Sequence, residues 1–401
     1  MPALAQRLNR TQVASSIQMS IRARELRAEG KDVISLAIGE PDFDTPRHAI
    51  EAGYQAALKG DTKYPPQDGT KALKEAIARK FKRDNDLDYS PDGEIIVSNG
   101  AKQTLFSAFM ATLDDGDEVI IPSPYWVAYP LMVQLIGGQP VFVNCPQNNG
   151  FKPRPEDIEA AITPRTKWLM LNLPNNPTGA ACTREELAAI AAVMRRHPQV
   201  WIMADDMYEH LVFDGFEHHT IAEVDPSLKE RTLTVSGVSK TYAMTGWRIG
   251  FAGGPKPLIK AMTNVQGQAT AGISTVGQAA AAAALDGPQD GAREMAAAYK
   301  RRRDLVVDGL NACKGIACHK PEGAFYVFPN VAGCLGKTSG GGRAIATDQD
   351  FCAALLEEAH VATVHGGSFG MSPYVRISYA SDDATLAEAC RRIRSFCAEL
   401  H

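Results

Sequence analysis

The sequence predicts an α/β fold, a seven-stranded and mostly parallel sheet covered by helices on both faces, with a second, smaller α/β domain. Three observations carry this. From about residue 94, short apolar runs alternate with helical stretches. After about residue 287 that rhythm gives way to a long charged helical stretch and a few separated strands. Residues with chemical potential cluster just after the apolar runs, where open α/β sheets bind ligands.

Taken in order, residues 17–29 read as a helix with Ile17, Ile21 and Leu26 on one face and Gly30 as its stop. A short strand at 33–37 follows, then the turn-rich GEPDFDTP at 39–46. Helices are expected at 46–58 and 71–84, separated by a loop in which Pro65, Pro66 and Gly69 surround Tyr64. The seven runs are EIIVS (94–98), EVIIP (118–122), PVFV (140–143), KWLMLN (167–172), VWIMAD (200–205), TLTVS (232–236) and RIGFAG (248–253). They are short, β-rich and apolar on both faces, as strands between two helical layers must be. Beyond them come a helix through 294–310, strands at 323–328 and 374–379, and a flexible surface loop at Ser339 and the three glycines after it. The last helix has Ser381 as N-cap, Asp382 and Asp383 in its first turn, and Leu386, Ala389, Ile393, Phe396 and Leu400 on its apolar face. The domains expected are 46–287 and a smaller one built from 1–45 and 288–401, with the N-terminal helix packed on the latter.

The 401 residues are 45% hydrophobic and 22% charged, which excludes a disordered chain, a collagen-like fibre and a small disulfide scaffold. A net charge of −4 without a long Lys/Arg run argues against nucleic acid or an anionic membrane as partner. No segment reaches 18 apolar residues, and the first 16 residues lack the apolar core of a signal peptide, so a cytoplasmic protein is expected. None of the eight cysteines forms C-x-x-C, which favours reduced core thiols over a disulfide framework or zinc site.

Three attractive motifs fail. Gly336-Lys337-Thr338 lacks the first glycine of a phosphate loop, because Val331 occupies that place. His218-His219 has no helical i, i+4 spacing and reads as a solvent-facing pair rather than a metal site. Lys240 has Gly237, not serine, three residues before it, so the S-x-x-K hydrolase pattern is absent.

Five pieces survive, each at a strand end: SNGAKQ (98–103), SPYW (123–126), NLPNNPTG (172–179), ADDMYEH (204–210) and SGVSKTYAMTGWRIG (236–250). The backbone N–H groups of Gly100, Ala101 and Lys102 open a helix and can hold a phosphate. Taken singly, NPTG reads equally as a turn, Asp205 as a cap, Trp126 as core and Lys240 as a surface lysine. Their order along the chain speaks against that.

With GEPDFDTP and YVRISYA (374–380), these motifs cover nearly the whole chain. The sequence resembles the class I aminotransferases of the aspartate aminotransferase family, in the bacterial branch that also contains aspartate/prephenate enzymes. The resemblance implies the fold of transferases that depend on pyridoxal 5'-phosphate (PLP). Lys240 would carry the cofactor as a Schiff base and move the substrate α-proton. Asp205 would face the pyridine nitrogen, and Tyr208 and Asn176 the phenolic oxygen. Trp126 would stack on the ring, while Arg248, Ala101 and Ser239 would hold the phosphate. Arg376 would grip the substrate α-carboxylate in a two-pronged ion pair, approached also by the backbone of Gly39. Tyr64 would reach the phosphate of a neighbouring subunit, implying a homodimer with active sites at its interface. Lys102 would meet a distal carboxylate, favouring aspartate, glutamate and their 2-oxo acids.

The sequence departs from that branch at Gln12-Val13, where its members usually carry Lys-Pro. One cation for a dicarboxylate is thereby absent, although Ser15 and Ser16 retain hydroxyls that can hydrogen-bond it. HGGSFG (365–370) replaces PGSAFG, and Gly237 stands where many relatives place a phosphate-binding serine, a loss that Ser236 or Ser239 is expected to cover. The alternatives are an aminotransferase preferring aromatic amino acids or prephenate, and a noncatalytic protein on the same fold. The latter would be free to lose Lys240, Asp205 or Arg376, and all three are present.

Overall fold

A computed structural model describes residues 4–10 and 15–401, without the side chains of 15–18 and 20. The expectations for Gln12, Val13 and Ala14, and for the side chains of Ser15, Ser16 and Ile17, lie outside the described residues.

The chain opens with the helix Ser15–Ala28 and strand β1 (Ile34–Ser35). All seven apolar runs form strands of one sheet: β2 (Ile95–Asn99), β3 (Glu118–Ser123), β4 (Gln139–Asn144), β5 (Thr166–Asn172), β6 (Trp201–Asp205), β7 (Thr232–Gly237) and β8 (Ile249–Gly253). Their spatial order is β2-β8-β7-β6-β5-β3-β4. Only β8 runs antiparallel to its neighbours, β2 and β7. Alternate residues serve opposite layers. Trp168 and Met170 of β5 join the cluster under helices 101–112 and 256–269, while Leu169 and Leu171 join the cluster under 184–196. Each such side chain, fully buried, contributes about 1.5–3 kcal/mol, which explains runs that are apolar on both faces. The exception is β4, a sheet edge whose Phe142 is exposed and stacks on Tyr125.

A second sheet joins β9 (Tyr326–Val327), β13 (Val364–His365) and β14 (Val375–Ser378), all antiparallel. Two residues earlier in the chain than β13, β12 (Val361–Ala362) pairs in parallel with β1. The N-terminal helix docks beside them: Ala23 and Leu26 share a buried cluster with Leu356, Ala362 and Phe369, and Arg22 grips Glu357 at 2.8 Å. Ile21, expected on the buried face, is exposed, and Ala23 takes its place.

Two further expectations change. The loop 339–342 joins β10 (Lys337–Thr338) to β11 (Ala344–Ile345) and is pinned. Glu358 accepts from the Ser339 hydroxyl at 2.7 Å and the Gly341 amide at 3.0 Å, so a carboxylate fixes what glycine content alone would leave loose. The final helix is Asp383–Ala398, and its cap is Asp382, not Ser381. The Asp382 carboxylate accepts from both the amide and the hydroxyl of Thr385, two bonds that a serine cap does not match. The expected apolar face of this helix is buried throughout. The eight cysteines are unpaired, seven of them buried. No described helix is long and apolar enough to cross a membrane.

Candidate active site

The carboxyl ends of the parallel strands open into a cavity of about 590 Å³. It is closed on the other side by residues 37–40, Tyr326 and Arg376. The turn after β6 sorts its residues by side. Asp205 and Tyr208 line the cavity, whereas Asp206 and Glu209 point behind it to His218 and Lys80. The turn is tied to its neighbour by Asn172, whose amide donates to the Asp205 carbonyl at 3.0 Å and accepts from the Asn176 backbone at 2.9 Å.

Asp205 is buried, and Tyr129 donates its hydroxyl to Oδ2 at 2.5 Å. Oδ1 has no partner among the described residues. Burial pushes the Asp205 carboxyl up to about 6, with the Asp206 charge adding and the Tyr129 bond opposing. Lys240 lies on the short helix that follows β7, and its Nζ donates to the Gly39 carbonyl at 2.6 Å. Burial brings its ammonium down to about 8, reinforced by Arg376 and Arg248 and resisted by Glu40 and Asp205. A buried carboxylate and a buried amine, each displaced toward neutrality, face one space.

Gly100 caps the helix Ala101–Thr112 with φ +80°. A Cβ there would stand 2.2 Å from Nη2 of Arg248, so glycine is what lets the guanidinium cross the helix start. The first amides of that helix, at Ala101 and Lys102, have no acceptor within it. The Gly100 amide, expected to be free, instead donates to the Ser98 carbonyl at 2.7 Å. Arg248 is held by the carbonyls of Thr245 and Asn99, and Ser239 lines the same end of the cavity. Ser236 does not. Its hydroxyl donates to Glu209 at 2.6 Å, away from the cavity. Gly237 is close-packed, since a Cβ would meet the Ile249 carbonyl at 3.1 Å and Gly250 at 3.2 Å.

Trp126 forms one wall, edge-on to Tyr129, with Lys102 Nζ 5.0 Å from its ring centre. Opposite, Arg376 is sandwiched between the rings of Tyr326 and Phe369, 4.8 and 4.9 Å from the guanidinium carbon. It donates to Asn176 Oδ1 at 3.1 Å and to the Ala37 carbonyl at 2.5 Å. Its Nε is buried with no partner among the described residues. Tyr326 also meets the Tyr208 hydroxyl at 3.0 Å and fills the space above Gly39, where a Cβ would come within 2.1 Å of its oxygen.

One cavity thus gathers Gly39, Ala101, Lys102, Trp126, Asn176, Asp205, Tyr208, Ser239, Lys240, Arg248 and Arg376. Tyr64 is not among its lining residues and is 97% exposed. The Ser16 side chain lies outside the described residues. The side chain of His218, expected to face solvent, is only 7% exposed, because its ring turns inward to Asp206 while Asp214, Gly215 and Glu217 of the same loop stay exposed. Tyr129, Tyr326 and Arg24 also line the cavity and had not been singled out in the sequence. Tyr129 leaves only a weak signal there, a second aromatic three residues after Trp126 and in the first turn of the helix Ala128–Ile136. Tyr326 leaves none, since only the β9–β14 pairing brings it to Arg376.

The cavity fits PLP. Asp205 Oδ1 is an unpartnered buried acceptor for a ring N–H, Lys240 is a buried amine within the same space, and Arg248 at a helix start suits a phosphate. Trp126 offers a flat apolar face of the right kind.

The model of the family "Aminotransferase class I and II" matches residues 31–393. The chain is 55% identical over 397 residues to an aspartate/prephenate aminotransferase of Cereibacter sphaeroides, covering 99% of each. It is 54% identical to an aspartate aminotransferase of Rhizobium meliloti, covering 99% of this chain and 96% of that one. A crystal structure of the aspartate aminotransferase from Rhizobium meliloti superposes with a TM-score of 0.97 at 53% identity, over 100% of both chains. The aspartate aminotransferase of Thermus thermophilus with maleate gives 0.91 at 43% identity, over 99% of this chain and 100% of that one. The chain therefore belongs to the class I and II aminotransferases, in the PLP-dependent aspartate aminotransferase family.

Proposed function

We propose that this enzyme exchanges the amino group between L-aspartate or L-glutamate and the 2-oxo acids 2-oxoglutarate or oxaloacetate, in two half-reactions of a ping-pong cycle. The observation that carries this is the pairing of two cations in one cavity: Arg376 on one wall and Lys102, poised over Trp126, on the other. A dicarboxylate supplies an anion for each. The names of the relatives in Cereibacter and Rhizobium support the same substrate class.

PLP, when bound, supplies the sink for the electron pair left as the substrate α-proton departs. Arg376 binds the α-carboxylate, its pronged donors already oriented by Asn176 and Ala37. Lys240 Nζ, with its charged form disfavoured by burial, would be the base that takes the α-proton and the acid that gives it back. With the cofactor bound, Asp205 Oδ1 would hold the proton on the ring nitrogen, and Tyr208 and Asn176 would donate to the ring oxygen. Arg248, Ser239 and the amide of Ala101 anchor the phosphate, which keeps the cofactor in place while Lys240 is detached. Gly39 brings its backbone to the carboxylate end.

The reading includes a homodimer. Ile50, Tyr54 and Leu58 are exposed at four-residue spacing on one helix face, and the neighbouring Tyr64 is free to reach a second copy's phosphate site. It also includes the division into 46–287 and 1–45 with 288–401, which sets Lys240 and Asp205 on one body and Arg376 and Gly39 on the other. Eight unpaired cysteines suit a reducing cytoplasm. Prephenate, named in the Cereibacter relative, is a second acceptor to test.

The test is a panel of half-reactions followed by cofactor absorbance, with aspartate, glutamate and phenylalanine as donors and prephenate as acceptor. Aspartate and glutamate should convert the cofactor fastest, and Lys102→Met should slow them at least about tenfold while sparing phenylalanine, the loss expected for one charged contact. No conversion by dicarboxylic amino acids would overturn the substrate assignment, and prephenate outpacing them would favour the second reading.

A further inference from the structure

Behind the cavity, on the far side of the 204–210 turn, lies a buried charged cluster with no role in the chemistry above. Lys80 Nζ sits 2.6 Å from Glu209 and donates to Asn85 at 2.7 Å. Glu209 also accepts from Asn85 at 2.9 Å and from Ser236 at 2.6 Å. His210 lies 3.3 Å from Asp84 at the cluster's rim. Glu209 thus has a cation and two further donors. Asp206 does not. Among the described residues its only cationic neighbour is His218, whose Nε2 lies 3.7 Å from Oδ1, at ion-pair distance but outside hydrogen-bond reach. Asp206 Oδ2 and His218 Nε2 have no hydrogen-bond partner among the described residues.

Structural packing alone does not explain such a pair. A buried, imperfectly bonded ion pair is often no more stabilising than apolar residues of the same volume. Asp206 is, however, the immediate neighbour of Asp205, and two adjacent buried carboxylates resist being charged together. We infer that His218 is a positioning residue that cancels the charge of Asp206, so that Asp205 can remain ionised toward the cofactor ring nitrogen. The idea deepens the role proposed for Asp205 and rests on that reading.

The surroundings are consistent with it. Burial alone would lower the imidazolium of His218, and the Asp206 charge more than offsets this, with Glu209 assisting and Lys80 opposing. Asp205 is faced by Asp206, Tyr129 and Lys240, and Tyr89 senses the Asp206 charge from the helix 71–85 side. Among the described residues, His218 is the cation that lies at ion-pair distance from Asp206.

The test reads the two carboxyls directly in the full-length apoprotein, by ¹³C NMR of aspartate-labelled chain, with signals assigned from Asp205→Asn and Asp206→Asn. In His218→Gln the apparent midpoint of the Asp205/Asp206 pair should rise by about one unit, the low end of the effect of one nearby charge. Adding Asp206→Asn should return the remaining Asp205 midpoint to its original value, since pair and counter-charge are then both gone. A purely structural His218 would lower thermal stability and leave the midpoint unmoved. An unmoved midpoint in His218→Gln, or a failure of Asp206→Asn to restore it, overturns the inference. Should His218→Gln not fold, His218→Asn takes its place, with the same rise expected and an unmoved midpoint again overturning the inference. Because no cofactor is present, these outcomes are separate from whether Asp205 contacts the ring nitrogen, which cofactor affinity of Asp205→Asn reports.

Discussion

Tyr129→Phe isolates one hydrogen bond. The ring stays to pack edge-on against Trp126, and only the hydroxyl that donates to Asp205 Oδ2 at 2.5 Å is lost. A hydrogen bond to a charged group contributes about 1.5–3 kcal/mol. At 1.36 kcal/mol per pKa unit, its loss raises Asp205 by roughly one to two units. The carboxyl starts from about 6, so it would reach roughly 7–8. At pH 7 the apoprotein would change from roughly nine-tenths ionised to half or less. The assay is capture of PLP by the apoprotein across pH, followed by quenching of tryptophan fluorescence. Wild-type affinity should fall as pH drops through about 6, and the variant's acid limb should lie at higher pH by the same one to two units. An acid limb that stays in place, in a variant with wild-type secondary structure, would refute the argument that Tyr129 holds Asp205 ionised.

Three other outcomes follow from the same geometry. Asp205→Asn should make the apoprotein more stable near neutrality, because the native carboxyl is raised from 3.8 to about 6. The native state therefore holds its proton longer than the unfolded chain, stability falls as pH climbs through that window, and removing the group should recover about 3 kcal/mol above pH 6 and nothing below pH 4 in urea unfolding. Arg376→Lys loses the fork that meets a carboxylate and the planar stack between Tyr326 and Phe369, so KM for aspartate should rise roughly 10- to 150-fold with kcat much less affected in steady-state assays. Gly100→Ala combines a φ of +80° with a Cβ 2.2 Å from Arg248, and equilibrium dialysis should find PLP bound about tenfold or more weakly, the result of displacing one charge-assisted contact.

Strand positions were legible because a strand between two helical layers needs apolar residues on both faces, and the seven runs of the large sheet have them. The weakest of these, at 140–143, proved to be the edge strand, where one face meets solvent. Motif residues such as Lys240, Asp205 and Arg376 were legible because their identities are dictated by chemistry that few residues can perform. Tyr326 and His218 were not, since each is brought to its partner by long-range packing that leaves no local pattern. His218 illustrates the limit best. A histidine in a polar, turn-rich stretch reads as exposed, and only the inward turn of its ring toward Asp206 buries the side chain. Ser236 misled for the opposite reason. Its place beside Gly237 suggests a phosphate, yet strand alternation aims its hydroxyl at Glu209.

The 204–210 turn shows why so much charge is buried so close to one cavity. Residues 205 and 208 face the ligand space, and 206 and 209 face the helix 71–85 and the segment 213–219. An apolar rear face would pack more simply, but would leave Asp205 in a low-dielectric setting with burial alone acting on it, and burial favours the protonated acid. A carboxyl that is protonated at working pH carries no charge with which to hold a proton on the ring nitrogen. Charges behind the turn alter that balance without occupying the ligand space. Lys80 and Ser236 fix Glu209 and hence the turn's position, while His218 offsets the one carboxylate nearest to Asp205. The arrangement separates two demands that a single shell of residues could not meet together, a dry cavity in which charge interactions are strong and a carboxylate that stays charged inside it.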